Sequence, residues 1–356
     1  MNLLEAQVDG MSLARRQWSL MWLEEAVGLS IGTRPWARGL SERGILLRIL
    51  GGAVEVSQFS SIIRSQAVPP KPRDVVTSGS ARMPNRVREL ARPPFGVRSR
   101  GNADLLKGPS IGIVGSRHPR AGAMEAARQI ATAAARAGLT VVSGMAIGID
   151  GVAHSAAMEA GGTTIAVLGS GIDHLHPRQH RRLAAEMVES GRGLLVSEYP
   201  NSAPALKWQF CERNRLIAAL SDYVVVVQAR NSSGSLQTAD SALKLGVEVG
   251  AIPSFVGDFE FQGSLNLLRD GARTIIDGDS VLRWIGLEPP TTADLHQFGT
   301  MLDTPRSPDE LGRFFQMPLG EVFSELLGLE LDGLVRRTLD GRYENARASG
   351  ARPGPH

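Results

Sequence analysis

The sequence predicts an α/β protein: a doubly wound, mostly parallel sheet followed by a small winged-helix-like module. Three observations carry this. Short apolar runs recur at 111–114, 140–143, 163–168, 193–197, 223–228, 249–252 and 273–276. Helix-like segments separate most of them, at 121–137, 151–160, 178–190, 213–220 and 236–245, and strand–helix alternation of this kind builds a parallel sheet. The runs are nearly continuous in Val and Ile, as in strands covered on both faces.

Taken in order, residues 1–65 form a helical N-terminal region, periodic at Trp18-Ser19-Leu20-Met21-Trp22-Leu23 and punctuated by Gly28, Gly32 and Pro35. Residues 66–107 read as a linker or extended wrapping segment, because Pro69, Pro70, Pro72, Pro84, Pro93 and Pro94 remove ladder donors. The sheet domain spans 108–288, and a Pro- and Thr-rich linker covers 289–306. The module at 307–346 opens on Ser307-Pro308-Asp309-Glu310, a helix start with a capping serine, proline at the first position and glutamate at the third. Val335 and Tyr343 flank Asp340-Gly341, a hairpin turn suited to a wing. Residues 347–356 read as a disordered tail. There are no internal repeats.

Composition narrows the class. A chain of 356 residues, 42% hydrophobic, buries a large core with room for two or three domains. The single cysteine, Cys211, excludes an intramolecular disulfide framework and a cysteine-based zinc cluster. With no long apolar run and no secretory leader, a cytoplasmic protein without a membrane span is expected. The net charge of +3 is unevenly placed. Residues 51–100 carry nine Lys and Arg against three Asp and Glu, whereas 291–356 carry seven against ten. Contact with nucleic acid is therefore expected before and within the sheet domain rather than in the tail.

Candidate ligand loops follow the strand runs. Gly115-Ser116-Arg117 ends the first run; Ser143-Gly144-Met145-Ala146-Ile147-Gly148-Ile149-Asp150 ends the second; Gly169 and Gly171 follow the third; Ser233-Gly234-Ser235, with Thr238 one turn on, follows the fifth. In an open parallel sheet such loops share the carboxyl edge. Glycine lets a phosphate approach the backbone, helix N-termini offer free N–H groups, and arginine supplies a cationic fork. Asp150 is expected to cap its helix and His154 to bond Asp150. Arg178 continues a cationic lip with Arg181 and Arg182. Arg213-Asn214-Arg215 is expected to open a helix and either clamp phosphate or cap strands internally.

Several chemistries do not fit. No G-x-G-x-x-G with a following acid marks a nicotinamide site, and no G-x-x-x-x-G-K-[ST] marks a P-loop. His174, His176 and His180 lack the companions a metal site requires. Ser233 does not lie in G-x-S-x-G. No catalytic residue, metal or cofactor is expected.

The ordered motifs resemble the DNA-processing protein A (DprA/Smf) family. They are Ile113-Val114-Gly115-Ser116-Arg117, the 142–150 loop with His154, Gly169-Ser170-Gly171-Ile172-Asp173 followed by Pro177, and Ser197-Glu198-Tyr199-Pro200. To these add Phe210-Cys211-Glu212-Arg213-Asn214-Arg215-Leu216-Ile217-Ala218 and Ser233-Gly234-Ser235-Leu236-Gln237-Thr238-Ala239. The likeness is close over about 90–285 and loose beyond. It implies an extended Rossmann-like domain that binds single-stranded DNA as a homodimer. It also implies protection of incoming DNA and loading of a RecA-type recombinase in natural transformation and homologous recombination, without catalysis. The cationic pocket it implies uses Arg117 and Arg178. The chain departs from the family pattern at Cys211, where a proline is usual, at Gln228, where a glutamate is usual, and at Ser254 and Leu265. The competing reading is a nucleotide-binding sensor or nucleotide hydrolase of a related Rossmann-like family. Such hydrolases carry a glutamate with their Pro-Gly-Gly-x-Gly-Thr loop, and Ser233–Thr238 holds no acid.

Overall fold

The computed structural model describes residues 74–288 and 297–346, with the helical residues 16, 17, 20, 21 and 44–46. Most of the region 1–65, the start of the 289–306 linker and the 347–356 tail lie outside the described residues. The chain divides into two compact units, Met1–Leu287 and Glu288–His356.

In the first unit one sheet contains β1 (Val75–Thr77), β2 (Gly96–Gly101), β3 (Ser110–Val114), β4 (Thr140–Ser143), β5 (Thr164–Val167), β6 (Gly193–Ser197), β7 (Tyr223–Val226), β8 (Glu248–Ala251) and β9 (Arg273–Thr274). Their order is 1-2-6-5-4-3-7-8-9. Strands β3 to β9 are parallel, while β2 runs antiparallel to β6 and β1 antiparallel to β2. The chain steps outward from β3 to β6, then crosses back to place β7 beside β3. The strand order therefore reverses between β3 and β7, and an open sheet leaves a crevice at the carboxyl ends of such a pair.

The connecting helices are α1 (Ala121–Arg136), α2 (Ile149–Glu159), α3 (Arg181–Glu189), α4 (Lys207–Ala219), α5 (Gly234–Lys244), α6 (Gln262–Arg269) and α7 (Gly278–Trp284). Successive strand residues feed two cores, as a pleat requires. Ile111, Ile113, Val141 and Val225 pack with Ala127, Ile130 and Ala134 of α1 and Ala153 of α2. Val114, Val142, Val224 and Val226 pack with Leu216 and Ile217 of α4 and Ala239 and Ala242 of α5.

All seven apolar runs are strands. The stretch read as a linker or wrapping segment contributes β1 and β2 and joins the same fold. Its strands escaped notice because β1 has three residues and β2 reads Gly-Val-Arg-Ser-Arg-Gly. Arg98 of β2 is buried, its guanidinium donating to the carbonyls of Met21 and Glu198. Helix α4 begins at Lys207, so Arg213-Asn214-Arg215 lies mid-helix and does not open it. The side chain of Gln209 caps that start by accepting from Leu206 N at 2.7 Å.

The second unit holds α8 (Pro308–Phe315), α9 (Leu319–Leu331) and the antiparallel pair β10 (Val335–Arg337) and β11 (Tyr343–Asn345). Ser307 Oγ accepts from Glu310 N at 3.2 Å, and Glu310 Oε2 accepts from Ser307 N at 2.8 Å. The expected capping box and wing are both present. Phe298, Leu302, Leu311, Val322, Leu326 and Tyr343 form its core. Among the described residues no helix is long and apolar enough to cross a membrane.

Candidate phosphate-binding cleft

At the β3/β7 reversal a cleft of about 380 Å³ opens. One wall is the loop after β3, with Gly115, Ser116 and Arg117; another is the start of α5, with Ser233, Gly234, Ser235 and Thr238. Lys207, Phe210 and Asn214 of α4 line it too, as do Arg230 and Glu260.

Glycine brings these elements close. Gly148 has φ +81°, and a Cβ there would lie 2.4 Å from Ser116 O. The loop after β4 therefore lies directly against the Ser116-Arg117 backbone, and Ile149 N donates to Ser116 O at 3.2 Å. Gly115 is filled in turn by Ile149, whose Cγ1 would meet an added Cβ at 2.7 Å. Arg117 is left exposed above this support, with no ion-pair partner among the described residues and its guanidinium 5.6 Å from the Phe210 ring centre.

The α5 wall presents a capped helix start to the cleft. Ser233 caps the helix by accepting from Ser235 N at 3.3 Å, and the two hydroxyls lie 2.7 Å apart. Asn214 Nδ2 donates to Gly234 O at 3.0 Å and fixes the turn from below. The first-turn N–H groups of a helix lack intrahelical partners and carry the positive end of its dipole. Thr238 Oγ1, buried on the cleft wall, has no hydrogen-bond partner.

Beneath the cleft the charges are committed. Arg213 is 3% exposed, and one of its terminal nitrogens donates to the carbonyls of Gly144 and Val167. Burial pulls its pKa down to about 10, against the attraction of Asp150. Arg215 pairs with Glu198 and Glu212. Burial raises the Glu198 carboxyl and the Arg215 charge opposes that rise. Both arginines brace strands and loops from within; Arg213 lies at the floor of the cleft, beside Phe210, and Arg215 is not among the lining residues. Gly144 serves this brace, because an added Cβ would strike the Arg213 guanidinium at 2.6 Å. Ser143 is buried, with Oγ donating to Ile113 O at 2.6 Å.

Two local expectations are corrected. Asp150 does not cap α2: it is the second helical residue, and Oδ2 turns back to accept from Ala146 N at 3.3 Å. Burial raises its carboxyl above the usual range, with Arg213 opposing. His154 does not bond Asp150. Its Nδ1 lies 2.6 Å from Thr164 Oγ1, whose proton goes to Val141 O. Nδ1 must therefore donate, and Nε2 is left buried without a partner. Burial lowers His154 to about 3, so it is neutral at physiological pH.

The loop after β5 is packed shut. A Cβ on Gly169 would meet Phe210 at 2.7 Å, and one on Gly171 would lie 2.2 Å from the carbonyls of Pro200 and Asn201. These glycines admit protein. Arg178 stands exposed just beyond and is not among the cleft-lining residues. Two residues before it, the His176 ring meets Phe210 of the cleft edge-on at 5.6 Å. The other histidines disperse: His180 donates to Met145 O at 3.0 Å, and His174 is exposed. Among the described residues no cluster of His, Cys, Asp and Glu could hold a metal.

Sequence reasoning missed Lys207, Arg230 and Glu260 as cleft residues. Arg230 follows the β7 run directly and Lys207 is one of four lysines, so position and rarity were the available signals.

Comparison with known proteins places these features. Residues 74–286 match the model of the DNA recombination-mediator protein A family, and 287–341 match the DprA winged helix domain. The DNA processing protein DprA of Bacillus subtilis is 37% identical over 209 residues, covering 58% of this chain and 70% of that protein. Protein Smf of Escherichia coli is 36% identical over 266 residues, covering 70% and 71%. The X-ray structure of DprA from Streptococcus pneumoniae superposes with a TM-score of 0.59 at 29% identity, over 78% of this chain and 95% of that one. DNA processing protein A from Helicobacter pylori, solved for its single-stranded DNA binding mode, gives 0.53 at 29% identity, over 57% and 92%.

Proposed function

Because the chain belongs to the DNA recombination-mediator protein A family, as its ordered motifs suggested, we propose that it binds single-stranded DNA in the β3/β7 cleft and breaks no bond in it. The observation that carries this is that Arg117, without an ion-pair partner among the described residues, and the capped N-terminus of α5 line one cleft. A guanidinium and a helix start together hold a phosphate from two sides. Arg178, exposed two residues beyond His176, meets the next part of the strand. The bound strand is protected and handed to a RecA-type recombinase by a homodimer in the cytoplasm, during natural transformation and homologous recombination.

The cleft acids support binding over nucleotide hydrolysis. Asp150 is buried against Ala146 N and Arg213, and Glu260 pairs with Arg230. Neither is free to activate a water. Gel-shift titration with single- and double-stranded oligonucleotides of equal length, beside a nucleotide-hydrolysis assay, tests the reading. Preference for the single strand without hydrolysis is expected. Equal affinity for duplex, or turnover of a nucleotide, would reject it.

A further inference from the structure

We propose that Phe255 and Phe259, on the loop between β8 and α6, form a base-stacking subsite continuous with the cleft. This rests on the single-stranded DNA reading and adds to it: the cleft takes phosphate, and the loop takes the unpaired bases.

The loop is a built feature. Asp258 N donates to Phe255 O at 3.1 Å across Gly257, whose φ is +87°. The Asp258 carboxylate, almost fully buried, accepts from Ser254 Oγ and Glu260 N, both at 3.1 Å. It also pairs at 3.0 Å with Arg120, which follows β3. The backbone is thus pinned to the same strand end that carries Arg117. Yet Phe255 is 89% exposed, Phe259 is 64% exposed, and Val256 between them is fully exposed. Exposed apolar groups gathered on a fixed loop mark an interaction surface.

Its position and neighbours indicate the ligand. Arg230 lies 5.6 Å from the Phe259 ring centre and is itself held by Glu260. Arg230 and Glu260 both line the cleft, so Phe259 adjoins the cleft wall through Arg230. Cations beside exposed ring faces suit a nucleic acid strand, whose bases stack on aromatic rings irrespective of sequence. A protein helix would need apolar area alone; a single strand needs rings beside a phosphate site, and the chain supplies both.

The test compares the full-length wild type with Phe255→Leu/Phe259→Leu, which keeps apolar bulk and removes the rings. Each is titrated by fluorescence anisotropy with labelled oligothymidine and with an abasic strand of equal length. The double variant should lose roughly tenfold on oligothymidine and nothing on the abasic strand. In Phe255→Trp, oligothymidine should quench the new indole emission and the abasic strand should not. Equal binding of oligothymidine by variant and wild type, or an equal loss on both strands, overturns the subsite and leaves the cleft reading standing. A change in sedimenting mass in the leucine variant overturns it in favour of contact between copies of the chain. Failure of the wild type to bind either strand overturns the single-stranded DNA reading, and the subsite with it.

Discussion

Arg117 and Arg178 stand in solvent at the carboxyl edge of the sheet, whereas Arg213 and Arg215 lie beneath it with their guanidinium groups held by protein oxygens. The same residue type serves two ends. Below, arginine joins carbonyls and a buried carboxylate that would otherwise lack partners. Above, it keeps its charge available. The distinction is one of commitment, since an arginine already bonded to buried acceptors has little left for a ligand.

The largest expected effect falls on the lower pair. Arg215→Ala strands the buried Glu198 carboxylate and should cost about 3–5 kcal/mol in urea unfolding. Arg213→Ala frees the carbonyls of Gly144 and Val167 and should cost about 2 kcal/mol or more. If either variant kept wild-type stability while losing DNA affinity, the division into brace and lip would be broken.

The loops offer a second contrast of the same kind. Gly171 has backbone carbonyls where a Cβ would go, whereas the nearest atom to a Cβ on Gly234 would be Asn214 Nδ2 at 3.7 Å. Gly171→Ala should therefore destabilise by about 3 kcal/mol. Gly234→Ala should leave the melting temperature unchanged and weaken single-strand binding at the α5 start. Parallel melts and titrations of the two variants distinguish a packing glycine from a ligand glycine.

His154 sharpens the account of the layer below. Its folded pKa, about 3, lies beneath the ordinary histidine value of 6.5. The unfolded chain therefore takes up the proton first, and stability falls as pH drops from 6.5 toward 3, by about 1.4 kcal/mol per unit once well below 6.5. Chemical unfolding at neutral pH and near pH 5 should show this loss. His154→Asn should show a shallower slope over that range.

These contrasts also explain what the sequence could disclose. Val- and Ile-rich runs announced the central parallel strands because burial on both faces leaves no polar alternation, whereas the edge strand β9, Arg273–Thr274, is exposed. Strand β2 stayed hidden because Arg98, a buried polar residue, looks like a linker residue until its carbonyl partners are known. Gly115-Ser116-Arg117 and Ser233–Thr238 read as candidate ligand loops, and the structure brings them to one cleft. Gly169 and Gly171 shared the same signature, but what fills a glycine's missing side chain is a tertiary fact. Asp150 and His154 misled for a related reason: four residues apart on a helix, they can meet, yet each has a nearer partner.

A smaller effect is expected from the second unit. Residues 291–356 sum to −3, from seven basic and ten acidic side chains, which disfavours long-range capture of a phosphate backbone. A chain ending at residue 288 should retain single-strand affinity to within about tenfold, or 1.4 kcal/mol, if it remains folded and dimeric. A greater loss in such a chain would make the winged helix a principal DNA-binding element.

The central claim is that the two solvent-facing arginines hold phosphate. It is tested most directly by the salt dependence of oligothymidine binding in Arg117→Ala/Arg178→Ala. Each contact removed should lower the slope of log affinity against log salt by about 0.7, so the double variant should lose about 1.4 from the slope, with weaker binding and an unchanged melting temperature. A folded double variant with wild-type affinity and wild-type slope would contradict the account.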